Sequence, residues 1–149
     1  MIFALILFIF STAISLYEGS GITDDFPWEW KYSAPFTQLF SGNIEKSSDI
    51  LYLDYFIYAA KFHPFYPLIM ILSILYLIIL AGMLLNKITN KTNYLFFILP
   101  ILCLSTFIST CTLINATTFG GKLFFYLFLI LTILFIYLSY YYKKSRKIH

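Results

Sequence analysis

FYPLIMILSILYLIILAGMLL, residues 65–85, contains no charged side chain and no histidine. A helix that crosses the hydrocarbon core of a bilayer needs about 20 consecutive apolar residues, and this run supplies them. Backbone amides in hydrocarbon have only one another as partners, so the run is read as a helix. It lacks the alternation of polar and apolar residues that marks the strands of a membrane barrel. Composition agrees with lipid as the solvent. The chain is 60% hydrophobic and 11% charged, against about 45–50% and about 25% in soluble domains. A soluble chain of 149 residues has no core large enough for that much apolar side chain.

Three more runs lie outward from this one. MIFALILFIFSTAISLY (1–17) is uncharged and sits at the short end of the spanning range. Ala13 and Ser15 offer a cleavage position for a secretory signal, but no Lys or Arg precedes the apolar stretch, so a retained membrane helix is expected. The third run covers 94–114 and contains Pro100, where a kink is expected. The fourth, 123–142, ends in Tyr140, Tyr141 and Tyr142, followed at once by Lys143 and Lys144; aromatic residues backed by cations mark a membrane edge. Between the runs lie the connectors NKITNKTN (86–93) and NATTFGGK (115–122), the latter with Gly120-Gly121 expected to supply the turn. Connectors this short make neighbouring helices antiparallel.

Charge gives the orientation. All seven carboxylates fall between Glu18 and Tyr55, where Lys31 and Lys46 reduce the net charge only to about −5. With four crossings, the amino terminus, the 86–93 connector and the tail share a side. That side holds Lys87, Lys91, Lys143, Lys144, Arg146 and Lys147. The excess of cations on one side places both termini in the cytoplasm and the acidic loop, 18–64, outside. The basic residues flank apolar runs and form no stripe interleaved with aromatics, so nucleic acid is not an expected partner. The expected partners are the bilayer itself and a membrane or envelope protein.

The external loop concentrates the sequence complexity. Glu18-Gly19-Ser20-Gly21 is expected to break the first helix, with Thr23 or Asp24 capping a short one after it. Phe26-Pro27-Trp28-Glu29-Trp30-Lys31-Tyr32 is densely aromatic, and as a strand Trp28, Trp30 and Tyr32 would line one face. Such a segment suits either an interfacial aromatic belt or a recognition surface for a partner. Asp24, Asp25 and Glu29 do not have the spacing of an EF-hand loop. From Ile50 to Phe62 a helix is expected, leading to the second span through the bend at His63-Pro64. Asp54, Tyr58 and Lys61 then share a face, where acid and base can pair with each other or with the loop. With His63 they are the candidate pocket for a headgroup or small ligand. The candidate binding residues are therefore Trp28, Glu29, Trp30, Lys31, Tyr32, Asp54, Tyr58, Lys61 and His63.

Within the spans there is no Asp, Glu, Lys, Arg or His, which argues against proton-coupled transport. Ser105, Ser109, Thr112 and Ala116 fall at helical spacing, with Thr106 and Thr110 beside them, a small-residue face that favours close helix packing or lines a solute path. Cys103 and Cys111, roughly 12 Å apart along a helix, are too distant for a disulfide. One histidine near the loop supplies one ligand where a zinc site needs about four. No nucleophile–base pair or phosphate loop is visible, so no catalytic residue, metal or cofactor is expected.

The strings YEGS (17–20), PWEWKYSAPF (27–36), LDYFIYAAKF (53–62) and HPFYP (63–67) resemble the YjdJ-like family, small four-helix integral membrane proteins of bacilli with unknown function. The resemblance implies a bacterial plasma-membrane protein of this topology and implies no activity. The expectation is thus an all-α integral membrane protein, a single domain with a four-transmembrane-helix bundle and a long extracytoplasmic loop between helices 1 and 2. It is expected to act without catalysis, by binding or scaffolding through that loop. The alternative is a permease or channel subunit that uses the Ser/Thr face of the third helix.

Overall fold

The computed structural model describes residues 2–24, 30, 32–42, 44, 46–89 and 94–146, and the regular structure among them is helical throughout. Among the described residues the α-helices follow in the order α1 (Ile2–Gly19), α2 (Pro35–Ser41), α3 (Tyr52–Phe62), α4 (Phe65–Thr89), α5 (Tyr94–Thr112) and α6 (Phe119–Arg146). Four helical stretches, Ile2–Asp24, Phe65–Thr89, Tyr94–Thr112 and Phe119–Lys144, are long and apolar enough to cross a membrane. The chain forms two compact units.

The first unit comprises residues 2–73 and 118–120. On α1 the buried residues are Ala4, Ser11, Ser15 and Gly19, all on one side of a helix with 3.6 residues per turn. Small side chains there allow a close neighbour, and α1 packs on α3. At Gly19 the approach is backbone to backbone, since a Cβ would overlap the carbonyl of Tyr55. α3 is approached again at its other end. A Cβ on Gly120 would overlap the carbonyl of Ala60. The spine of the unit is therefore α3, gripped at two carbonyls by two glycines that L side chains could not replace without displacement.

α1 ends at Gly19, within the Glu18–Gly21 segment expected to break it, and the chain tightens there into a 3-10 turn over Ser20–Asp24. The hydroxyl of Thr23 donates to the carbonyl of Ser20 at 2.8 Å within that turn; the short helix expected after Thr23 or Asp24 falls outside the described residues. Gly120-Gly121 does not form the turn before the last helix. Both lie inside α6, and the chain turns earlier, where Leu113 N–H reaches back to Ser109 O and Ala116 N–H to Leu113 O. The glycine is needed at position 120 for contact with α3, and that contact outweighs its turn preference. The bend at His63-Pro64 is present: α3 stops at Phe62, His63 leaves helical geometry at φ −127°, and α4 begins at Phe65. Proline disfavours helical backbone in the residue before it.

The second unit comprises residues 74–117 and 121–149, with Leu99, Leu102 and Phe135 at its centre. Phe135 of α6 is 1% exposed. α4 and α5 approach closely at Gly82, where a Cβ would lie 2.7 Å from Ile98 Cδ1. Asn86 binds the ends together. Its Oδ1 accepts the amide of Tyr94, and its Nδ2 donates to Tyr142 Oη at 3.1 Å. Between α5 and α6 two buried hydroxyls meet, Thr132 Oγ1 donating to Thr106 Oγ1 at 2.9 Å. The sequence pattern favoured a packing stripe of Ser105, Ser109, Thr112 and Ala116, but Ser105 and Thr112 are exposed. Their hydroxyls, with that of Ser109, return to carbonyls of their own helix. Both cysteines carry free thiols.

Replacing Gly19 or Gly120 with alanine is expected to destabilise the first unit by roughly 1–3 kcal/mol, the usual cost of overpacking. Gly82→Ala is expected to cost less, because the atoms it meets are ends of flexible side chains. Thermal unfolding in detergent, followed by circular dichroism, checks the ranking.

Candidate functional site

The site begins with a helix that has no cap of its own. α2 starts with Pro35 at its first position, and the residue before it, Ala34, offers no side-chain acceptor. The first amides of any helix need acceptors. Here they come from another helix. Asp54, in the first turn of α3 and wholly buried, accepts the Phe36 amide on Oδ1 at 2.9 Å and the Thr37 amide on Oδ2 at 2.7 Å. Thr37 Oγ1 donates to the same Oδ2 at 2.6 Å and accepts the amide of Leu51 at 2.8 Å. A carboxylate held by charge-assisted bonds at a helix amino terminus is in one of the few environments that favour a buried negative charge.

Trp30 makes the second tie. Its indole Nε1 donates to the carbonyl of Ile22 at 3.0 Å. Its ring packs with Ile22, Ala34 and Ile50, bordered by Ile44, Tyr55 and Tyr58. Lys61 makes the third, with Nζ donating to the carbonyl of Tyr32 at 2.7 Å. Burial pushes the Lys61 ammonium below the ordinary lysine value of 10.5, and the Asp54 charge pulls it partly back.

The predicted site residues therefore separate. Trp28, Glu29 and Lys31 lie outside the described residues. Trp30 and Tyr32 do not share a strand face: Trp30, Tyr32 and Ser33 are helical, with Trp30 buried and Tyr32 exposed. The alternation rule fails because a helical turn, closed by Ala34 N–H to Trp30 O at 2.9 Å, places successive odd residues on different sides. Asp54 and Lys61 both bind the loop, one of the two arrangements their spacing allowed. Tyr58 borders the Trp30 cluster and packs on Phe62, ring centroids 4.7 Å apart. His63 is exposed, its amide closing α3 on Ala59 O at 2.7 Å. Nine residues from Asp54 is about half a turn away around a helix, so the imidazole does not join the carboxylate. Among the described residues no group of three His, Cys, Asp or Glu side chains is placed to hold a metal ion.

Thr37 and the Phe36 amide were not singled out from sequence. A signal existed: a proline at a helix start preceded by alanine leaves the first amides uncapped, so an acceptor from elsewhere is required. What remains outward on α2 is its apolar side. Phe36, Leu39 and Phe40, spaced three and four apart, are exposed, with Leu39 at 76% and Phe40 at 70%.

The fold and site define an all-helical protein with four helices long and apolar enough to cross a membrane and a hydrogen-bonded module between the first two. Residues 1–86 match the domain of unknown function DUF4306, and the chain belongs to that family. It is 34% identical over 93 residues to a protein of Bacillus subtilis (strain 168) described as uncharacterized protein YjdJ, covering 61% of this chain and 83% of that one. This agrees with the YjdJ-like family of bacilli indicated by the sequence strings. No solved structure matches the chain.

Asp54→Ala strands three donors and is expected to destabilise the module by about 3 kcal/mol or more, at roughly 1–3 kcal/mol for each unsatisfied buried group. Thr37→Val, which leaves both amide bonds to Asp54, is expected to cost less. Protease sensitivity of the 32–50 segment in detergent ranks them. Because Lys61 holds its proton less tightly folded than unfolded, stability from this group rises as pH climbs from its folded pKa towards 10.5. Melting curves across alkaline pH should show that rise, and Lys61→Met should remove it.

Proposed function

We propose that this chain crosses the bacterial plasma membrane four times and acts without catalysis. In this reading it binds a membrane or envelope protein through the 18–64 segment on the outer side, with both termini in the cytoplasm. The apolar helices and the separation of cations from carboxylates support the crossing and its direction. One observation carries the binding reading. The carboxylate of Asp54 fixes α2 so that Phe36, Leu39 and Phe40 face outward, an apolar helix side of the kind that anchors a partner. Asp54 and Lys61 are bonded to backbone groups and His63 stands apart, which favours a structural over a catalytic use of the three. The alternative of a permease or channel subunit draws little from the second unit, since the hydroxyls of Ser105, Ser109 and Thr112 are bonded within their own helix.

The test has two parts. A membrane-impermeant maleimide should label Ser48→Cys in intact cells and Lys144→Cys only after permeabilisation; the reverse pattern removes the topology. A photo-crosslinking residue at Leu39 or Phe40 should yield a discrete protein adduct that the same residue at exposed Ser48 does not. Adducts with lipid alone would make this side of α2 an interfacial anchor and end the binding reading.

A further inference from the structure

α5 and α6 leave a groove between them in two adjoining parts. One cleft of about 430 Å³ runs along Cys103, Leu104, Phe107, Thr132 and Ile136. A second, of about 170 Å³, is lined by Leu95, Leu99, Tyr142 and Lys143 among others. Pro100 and Ser139 line both, so the two adjoin along the helix pair. From Lys143 to Thr132 is eleven residues of helix, roughly 16 Å, or about half of a ~30 Å hydrocarbon core. The groove has the depth of one leaflet.

Its polar features are graded along that depth. Ser139 Oγ is buried and has no hydrogen-bond partner among the described residues. A serine in an apolar helix ordinarily donates to the carbonyl four residues back, as Ser109 and Thr110 do in α5; Ser139 does not. A lone hydroxyl in an apolar setting is costly until it finds an acceptor. One helical turn towards the tail, roughly 6 Å away, stands the exposed Lys143 at the groove mouth. The order is cation, then an unpartnered hydroxyl, then an apolar trough.

We propose that this groove binds one anionic phospholipid of the inner leaflet. Its phosphate lies at Lys143, a glycerol ester carbonyl accepts from Ser139 Oγ once rotation about χ1 turns that buried oxygen to the groove wall, and one acyl chain lies along Leu104, Phe107 and Ile136. The inference rests on the membrane-spanning reading above. A second copy of the chain would fill the trough with apolar side chains but would leave Ser139 and Lys143 without partners, so lipid fits better. Phosphate at a juxtamembrane lysine also follows the attraction of basic segments to anionic headgroups.

The full chain, reconstituted in phosphatidylcholine vesicles, is probed with spin-labelled phosphatidylglycerol or spin-labelled phosphatidylcholine. Flotation and resistance to alkaline extraction come first, and failure there overturns the membrane reading itself. For inserted protein, the motionally restricted lipid should favour phosphatidylglycerol about fivefold, the factor expected for one lysine near the surface. Lys143→Gln, on the exposed rim, should bring the ratio near one. Lys144→Gln, which removes the same charge outside the groove lining, should leave it unchanged. Ser139→Phe should reduce the restricted fraction of both lipids. Equal binding of the two lipids by the native chain, or the same loss from Lys143→Gln and Lys144→Gln, overturns the site. So does a disulfide between copies formed through Leu104→Cys, which would make a second chain the occupant.

Discussion

A single buried carboxylate organises the segment between the first two apolar helices. Asp54 has no exposed surface, and a charge in that position is tolerable only when its oxygens are fully engaged. They are engaged by the two leading amides of α2 and by Thr37 Oγ1. Thr37 in turn takes the amide that leads into α3. One side chain thus fixes the start of a short helix, the entry to a second, and the separation between them. The apolar core beneath includes Ile22, Trp30, Ala34 and Ile50. The polar ties from Asp54, Trp30 and Lys61 act beside it.

The same helix that carries Asp54 is the one that others approach most closely. Gly19 meets the carbonyl of Tyr55, the residue after Asp54, and Gly120 meets that of Ala60. Any displacement of α3 at either glycine is transmitted to the carboxylate and so to α2. The family match covers residues 1–86 and therefore includes the whole 2–73 stretch of the first unit. The groove described for α5 and α6 lies beyond the matched residues. The module around Asp54 thus belongs to the segment by which the family is recognised.

Much of this architecture is legible from residue order. Long uncharged runs give helices of spanning length because hydrocarbon leaves backbone amides no other partner. Pro64 after His63 gives the break before α4, and the spacing of Asp54 and Lys61 gives a shared side of α3. The errors have two causes. Trp30 and Tyr32 alternate like a strand, and there a helical turn closed by the Ala34 amide on Trp30 O prevails. Gly120 is a turn residue by propensity, and Ser105 and Ser109 are spaced like an interface; both preferences are overruled by contacts distant in sequence, Gly120 with Ala60 and Thr106 with Thr132. The cap on α2 is the clearest case. Ala34-Pro35 announces that an acceptor is needed, but only the fold shows that it comes from a residue 17 and 18 positions away.

The tie between Asp54 and α2 is most directly tested by amide hydrogen exchange on the intact protein in vesicles, resolved at Phe36 and Thr37. Slow exchange at both positions, far below the rate of an unstructured peptide, is the predicted result, since amides bonded to a buried carboxylate exchange only when the module opens. Exchange at the unstructured rate in the native chain would mean that the carboxylate does not hold the helix, and the account of the loop as a folded module would be contradicted.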